Sequence, residues 1–322
     1  MALELFKRTE TRKGLFAVEK ATLIYTLLTS ILILYLFQEM EHPVRMLIER
    51  AAITLTTFSM MYLYRIYPCK TGAFIRVAVQ MSFLSYWYPD TFEFNRIFPN
   101  LDHVFATIEQ WVFSGQPAVW FCVRFPYKWV SEALNLGYFF YYPMILLVMV
   151  WYFVYRYELF EKVAFVVVMS FFAYYLIYIF VPVAGPQFYF PAIGSEHVEQ
   201  GIFSSIGNYF NHNHVLLEGP NCYPQGFFYN LVETSQQVGE RPTAAFPSSH
   251  VGISTMLMIM AWRANLKLFA FLLPFYILLC CATVYIQAHY VIDAFVGFIS
   301  GIALYMVSTA LFKKWFAAPL FK

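Results

Sequence analysis

Long apolar runs broken by short polar stretches make up most of the chain. A helix rising 1.5 Å per residue needs about 20 apolar residues to cross about 30 Å of hydrocarbon. That length predicts eight helical segments, at residues 20 to 38, 46 to 67, 72 to 89, 137 to 155, 162 to 182, 248 to 262, 266 to 288 and 290 to 312, the sixth being the shortest. Two long stretches separate them. In residues 90 to 136, the run from Leu101 to Phe113 mixes apolar and polar positions at near-helical spacing, which predicts an interfacial helix on the outer leaflet. Residues 183 to 247 are rich in Gly, Pro, Asn, His and Tyr and have no clean period. Loops of that length are usually lids or binding segments. With no repeat or low-complexity tract, the expected fold is all-α: one polytopic transmembrane helix bundle over residues 1 to 322.

Composition narrows the class further. Of 322 residues, 60% are hydrophobic and 12% charged, against about 25% charged in soluble domains, so a water-soluble domain is excluded. Aromatic residues, 21% of the chain, gather near the ends of apolar runs, where amphipathic rings favour a membrane interface. With a cytoplasmic N-terminus, 15 of the 21 Lys and Arg residues fall inside, leaving Arg45, Arg50, Arg96, Arg124, Lys128 and Arg241 outside. The positive-inside rule favours that orientation, with both termini cytoplasmic and the two long stretches extracytoplasmic. Lys7, Arg8, Arg12, Lys13 and Lys20 precede the first apolar run like a secretory signal, but no small-residue cleavage site follows, so a retained helix is expected. A net charge of +2 with dispersed basic residues implies no nucleic-acid partner. Cys69, Cys122, Cys222, Cys280 and Cys281 show no CxxC spacing and indicate neither a zinc site nor a disulfide framework, though a Cys122 to Cys222 bridge stays open.

Candidate chemistry lies in the last third. His289 and Asp293 stand four apart at a membrane boundary, on one face if that stretch is helical. Ionisable groups are expensive in a bilayer and usually mark function or are paired there. A carboxylate on one imidazole nitrogen fixes the tautomer and frees the other to attack an electrophile. Pro247-Ser248-Ser249-His250 opens the sixth helix, where unpaired amides and the dipole form a phosphate seat and Ser248 and Ser249 add hydroxyls. One helix inward and one back separate His250 from His289, so the two should meet on one face. One imidazole then serves as nucleophile and the other as proton donor to the leaving oxygen, with Arg241 offsetting phosphate charge. Either motif alone would more often be a structural pair or a helix cap; their joint occurrence favours phosphoryl transfer.

At these residues the chain resembles the type 2 phosphatidic acid phosphatase superfamily, whose motifs read Lys-x6-Arg-Pro, Pro-Ser-Gly-His and Ser-Arg-x5-His-x3-Asp. Pro247-Ser248-Ser249-His250 matches the second with Ser for Gly, and His289-x3-Asp293 matches the core of the third. The resemblance implies a six-helix phosphatase-like core and a phosphohistidine at His289. Asp293 would orient that histidine, His250 would protonate the leaving alcohol and later activate the acceptor, and neither metal nor other cofactor would be needed. The chain departs at Ala282-Thr283, where the third motif has Ser-Arg, at Thr234, where the first has Lys, and in placing Arg241-Pro242 only four residues before Pro247. Thr283-Val284-Tyr285, His289-Tyr290-Val291-Ile292-Asp293 and Pro182-Val183-Ala184-Gly185-Pro186-Gln187 look more like the inositol phosphorylceramide synthase branch, which adds Gln187 and Tyr285 as substrate-binding candidates. Members of that branch have eight helices and move a phospho-head group from a phospholipid to a ceramide hydroxyl, so membrane lipids are the expected partners.

Three other readings stay beside this one. A lipid phosphate phosphatase would use the same site with water as acceptor. A transporter would carry its ionisable groups stepwise through the bilayer, whereas here they cluster at one face. His197, His212 and His214, with Glu196, Glu199 and Glu218, share the outer loop but match no defined metal-site spacing. Gly297 and Gly301 form a Gly-x3-Gly that would pack helices within or between chains.

Overall fold

A computed structural model describes residues 5–9, 14–213 and 225–316. Among these the only strand-like pairing is an isolated antiparallel bridge between Arg8 and Cys69; the rest is helix and connection. The helices are α1 (Ala17–Tyr35), α2 (Pro43–Ile66), α3 (Lys70–Ser82), α4 (Leu84–Asn95), α5 (Asp102–Phe113), α6 (Pro117–Arg124), α7 (Lys128–Phe139), α8 (Tyr141–Tyr155), α9 (Tyr157–Phe180), α10 (Pro186–Ile193), α11 (Ser195–Glu199), α12 (Phe227–Gly239), α13 (Ser249–Ala264), α14 (Leu266–Tyr285) and α15 (Val291–Phe316).

Helix stands at each of the eight predicted segments, but not all are single spans. By length and apolarity α1, α9, α14 and α15 can each cross a membrane, and α7 with α8, bent by 43°, is a fifth candidate. The predicted 72 to 89 segment is two helices of 13 and 12 residues broken at Phe83. At 1.5 Å per residue neither reaches across the hydrocarbon. The described part of the stretch 183 to 247 carries helices its composition did not suggest: α10, α11, a 3₁₀ turn at Tyr209–Asn211 and α12. Helix α5 falls where the interfacial helix was expected, and the strongly exposed Trp111, Val123 and Trp129 in and beyond it suit a headgroup boundary.

Two compact units emerge, each built from separated stretches. The first comprises residues 1–88, 149–172 and 304–322. Its polar interior is paired: Arg76, 1% exposed, donates from Nε to Glu19 Oε1 at 2.7 Å and lies 3.8 Å over the Phe16 ring. Removing either partner would strand a buried charge, the expensive half of such pairs. Arg50 is held similarly by Thr29 Oγ1 at 3.1 Å and Tyr86 hydroxyl at 3.2 Å.

The second unit, residues 89–148 and 173–303, holds both histidine motifs. Helix α14 packs chiefly on α7 and α13. At the crossing of α13 with α15, a Cβ on Gly297 would meet Ser248 O at 2.5 Å, and one on Gly301 would collide with the carbonyl of Gly252. The Gly-x3-Gly is therefore an intramolecular contact that lets two backbones touch. It fixes the start of α13 beside the start of α15.

Candidate active site

Ser248 is the N-cap of α13, its hydroxyl accepting from Val251 N–H at 3.3 Å. Its own N–H donates to the Asp293 carbonyl at 3.0 Å. Ser249 N–H donates at 3.1 Å to the Tyr178 hydroxyl, which donates in turn to Pro247 O at 2.9 Å. The expected seat of unpaired amides is thus corrected: only the His250 N–H of this first turn has no partner among the described residues. Ser248, fully buried, is committed to the cap, and Ser249 is 7% exposed.

His289 lies between two helices, so the condition under which helical spacing would put it on one face with Asp293 is not met. Helix α14 ends at Tyr285, and Gln287 takes a left-handed φ of 62°. His289 N–H then folds back onto Thr283 O at 3.0 Å, a helix C-cap that turns the imidazole inward. Its Nδ1 lies 2.8 Å from Ala245 O and 3.7 Å from Asp293 Oδ2. The group that fixes the tautomer here is therefore a backbone carbonyl: facing an acceptor, Nδ1 carries the hydrogen and Nε2 keeps its lone pair. Asp293 Oδ2 instead accepts from Tyr290 N–H at 2.9 Å, and its buried Oδ1 has no hydrogen-bond partner among the described residues. Burial lowers the His289 pKa to about 4, against the Ala245 carbonyl and Glu240, which raise it. The imidazole is neutral at physiological pH.

The His250 and His289 rings stand 5.7 Å apart between centroids, as the helix-in, helix-back spacing anticipated. Tyr138 stacks on His250 at 4.7 Å and Tyr141 lies at 4.5 Å. These two rings hold the His250 imidazole in place.

Several groups the sequence reading passed over build the walls. Asp102, fully buried, accepts from Ala184 N–H at 2.7 Å, Gly185 N–H at 2.8 Å, Asn100 Nδ2 at 2.6 Å and Tyr290 hydroxyl at 3.0 Å. Burial still pushes its pKa above the usual carboxylate range, against those four donors. Gly185, with φ 94°, lies so close to Ala288 O that a Cβ would meet it at 2.6 Å. Glu109 accepts from Ile292 N–H at 3.1 Å, and burial raises it to about 7, with Asp293 adding to the rise. A buried acid seven residues beyond the Asp102 that opens α5 was visible in the sequence only as amphipathic spacing.

Gln187 N–H donates to Gln287 O at 2.8 Å, which ties α10 to the turn carrying His289. Its side chain donates to Glu240 Oε2 at 3.1 Å and accepts from Gln236 Nε2 at 3.2 Å. Burial lifts Glu240 to about 7, opposed by Gln187 and by its electrostatic neighbour His289. Arg241 donates from one guanidinium nitrogen to Glu240 O at 2.9 Å. Tyr285 gives its hydroxyl to Phe125 O at 3.0 Å, which binds α14 to the end of α6. Cys122 is disulfide-bonded, whereas the sequence indicated no disulfide framework; Cys69, Cys280 and Cys281 are free, and Cys222 lies outside the described residues. His214 and Glu218 of the outer-loop cluster also lie outside them, and the described residues hold no group of three metal-ligating side chains.

An apolar helical chain with two imidazoles facing each other, one neutral with a free nitrogen, defines a membrane enzyme built for group transfer. The match of residues 103–310 to the PAP2 superfamily agrees, and the chain belongs to that superfamily. It is thus an integral membrane enzyme of the phosphatase and phosphotransferase type acting on lipids. Neither the curated proteins nor the solved structures contain a significant match to it.

Proposed function

We propose that the protein is a lipid phosphotransferase that moves a phospho-head group, inositol phosphate from phosphatidylinositol, to the hydroxyl of a ceramide-type lipid. The observation that carries the mechanism is the neutral His289 with Nδ1 on Ala245 O, 5.7 Å from His250 between ring centroids. Nε2 of His289 attacks the donor phosphorus; the bond to the diacylglycerol oxygen breaks, and His250 gives that oxygen its proton. His250 then takes the proton of the acceptor hydroxyl, whose oxygen bonds to phosphorus as the nitrogen–phosphorus bond breaks. Arg241 and the His250 amide offset charge on the phosphoryl oxygens. Asp293 acts through the field at the start of α15. The positive-inside distribution supports a site at the extracytoplasmic face with cytoplasmic termini. The motif similarity to the inositol phosphorylceramide synthase branch supports the choice of donor and acceptor.

The assay uses the purified protein in mixed micelles with phosphatidylinositol and a fluorescent ceramide, and separates the lipid products. An inositol-phosphate conjugate of ceramide, absent with His289→Ala and His250→Ala, is the expected result. A water-soluble phosphate product with ceramide untouched would make the protein a lipid phosphate phosphatase on the same site.

A further inference from the structure

The mechanism leaves unused one polar cluster beside the nucleophile. Gln187 is 5% exposed and Gln236 9%, yet their carboxamides face each other and the Glu240 carboxylate rather than apolar side chains. Three separate elements converge to put them there. Helix α10 is pinned to Gln287, two residues before His289. Helix α12 is held at its start by Glu132, which accepts from Phe228 and Tyr229 N–H at 3.1 and 3.0 Å, and it presents Gln236 from its last turns. Glu240 then lies five residues ahead of Ala245, whose carbonyl grips His289.

We propose that Glu240, Gln187 and Gln236 form the subsite that binds the hydroxyls of the donor's head group, selecting a polyol over an amine. The inference rests on the reading that His289 attacks the donor phosphorus, since the head group stays attached to that phosphorus. The hydrogen-bond inventory decides between the two chemistries. Each carboxamide offers two N–H donors and an acceptor; Gln236 serves both Gln187 and Glu240, while Gln187 spends one donor on Glu240 and keeps the other. A hydroxyl both donates and accepts, so a ring of hydroxyls can match the remaining Gln187 donor and the carboxylate lone pairs. A primary ammonium only donates and would leave that buried Gln187 N–H unpaired, a penalty that discriminates in a dry site. A quaternary ammonium offers no N–H at all and is normally held by aromatic faces. The raised Glu240 pKa fits as well, because a carboxyl that is partly protonated near neutrality is a poor counter-ion for an amine and a good partner for a hydroxyl.

Calorimetric titration of the whole protein in detergent micelles with glycerophosphoinositol, glycerophosphoethanolamine and inorganic phosphate tests this. The parent should bind glycerophosphoinositol at least tenfold more tightly than glycerophosphoethanolamine. Gln236→Ala and Glu240→Gln should each lose that preference while binding inorganic phosphate as the parent does, which shows them folded. A preference that survives both substitutions overturns the proposal, as does a parent that favours the amine or distinguishes neither. If the preference is present but ceramide accepts nothing, the transferase reading fails and the subsite stands.

Discussion

His289 owes its reactivity to opposed influences on one ring: burial drives it toward the neutral form, while a carbonyl at Nδ1 fixes which nitrogen is free. Because its folded pKa is depressed, the neutral nucleophile persists down to about pH 4. Turnover at low substrate should therefore hold between pH 6.5 and 4.5 and fall about tenfold per unit below about 4. A limb centred near 6.5 would mean that His289 is not buried as described. For His250 the aromatic pair matters most. Tyr138→Leu removes the stacked ring that positions the imidazole and should lower kcat about 2- to 12-fold, while Tyr138→Phe keeps most activity; equal loss in both would assign the role to the hydroxyl instead. The sequence made both histidines legible, since each follows from its motif. It could not show Ala245, because a backbone carbonyl acting as partner has no residue signature. Nor did it single out Glu240, whose neighbour Arg241 drew the phosphate argument.

At the scale of elements, the site depends on α13 and α15 touching through glycine. Gly301→Ala would force a methyl into the Gly252 carbonyl and should destabilise the protein by about 1–3 kcal/mol. Thermal unfolding should show the loss, and an unchanged Tm would mean that the helices do not cross there. Apolar length located helix at every predicted segment because hydrocarbon thickness is a strict ruler. It misjudged continuity: Ser82 and Ser85 flank the break at Phe83, and Pro143, which lacks an N–H, follows the bend after Phe139 by four residues. Helix α12 went unread for a different reason. Its buried positions Val232 and Gln236 repeat at four, but one is polar, so no apolar stripe marks the face that reaches Gln187.

For the molecule as a whole, burial of acids makes stability depend on pH. Glu109 has its folded pKa raised from 4.5 to about 7, so the folded state binds the extra proton and stability falls as pH rises through that window. Glu109→Gln should gain Tm relative to the parent between about pH 4.5 and 7, with no further gain above; a constant difference would show that Glu109 titrates normally. Orientation is tested on a cysteine-free background, in which Ser195→Cys should react with an impermeant thiol reagent in intact cells and Lys267→Cys should not. The reverse pattern would put the site on the cytoplasmic face. The central claim is covalent transfer through His289, and trapping the intermediate tests it most directly. The protein is mixed with phosphatidylinositol without acceptor, quenched and kept alkaline, and its peptides are weighed by mass spectrometry. An inositol-phosphate adduct on the peptide containing His289, missing from His289→Ala, is the predicted result; turnover by His289→Ala, or a working parent with no adduct on that peptide, would contradict the account.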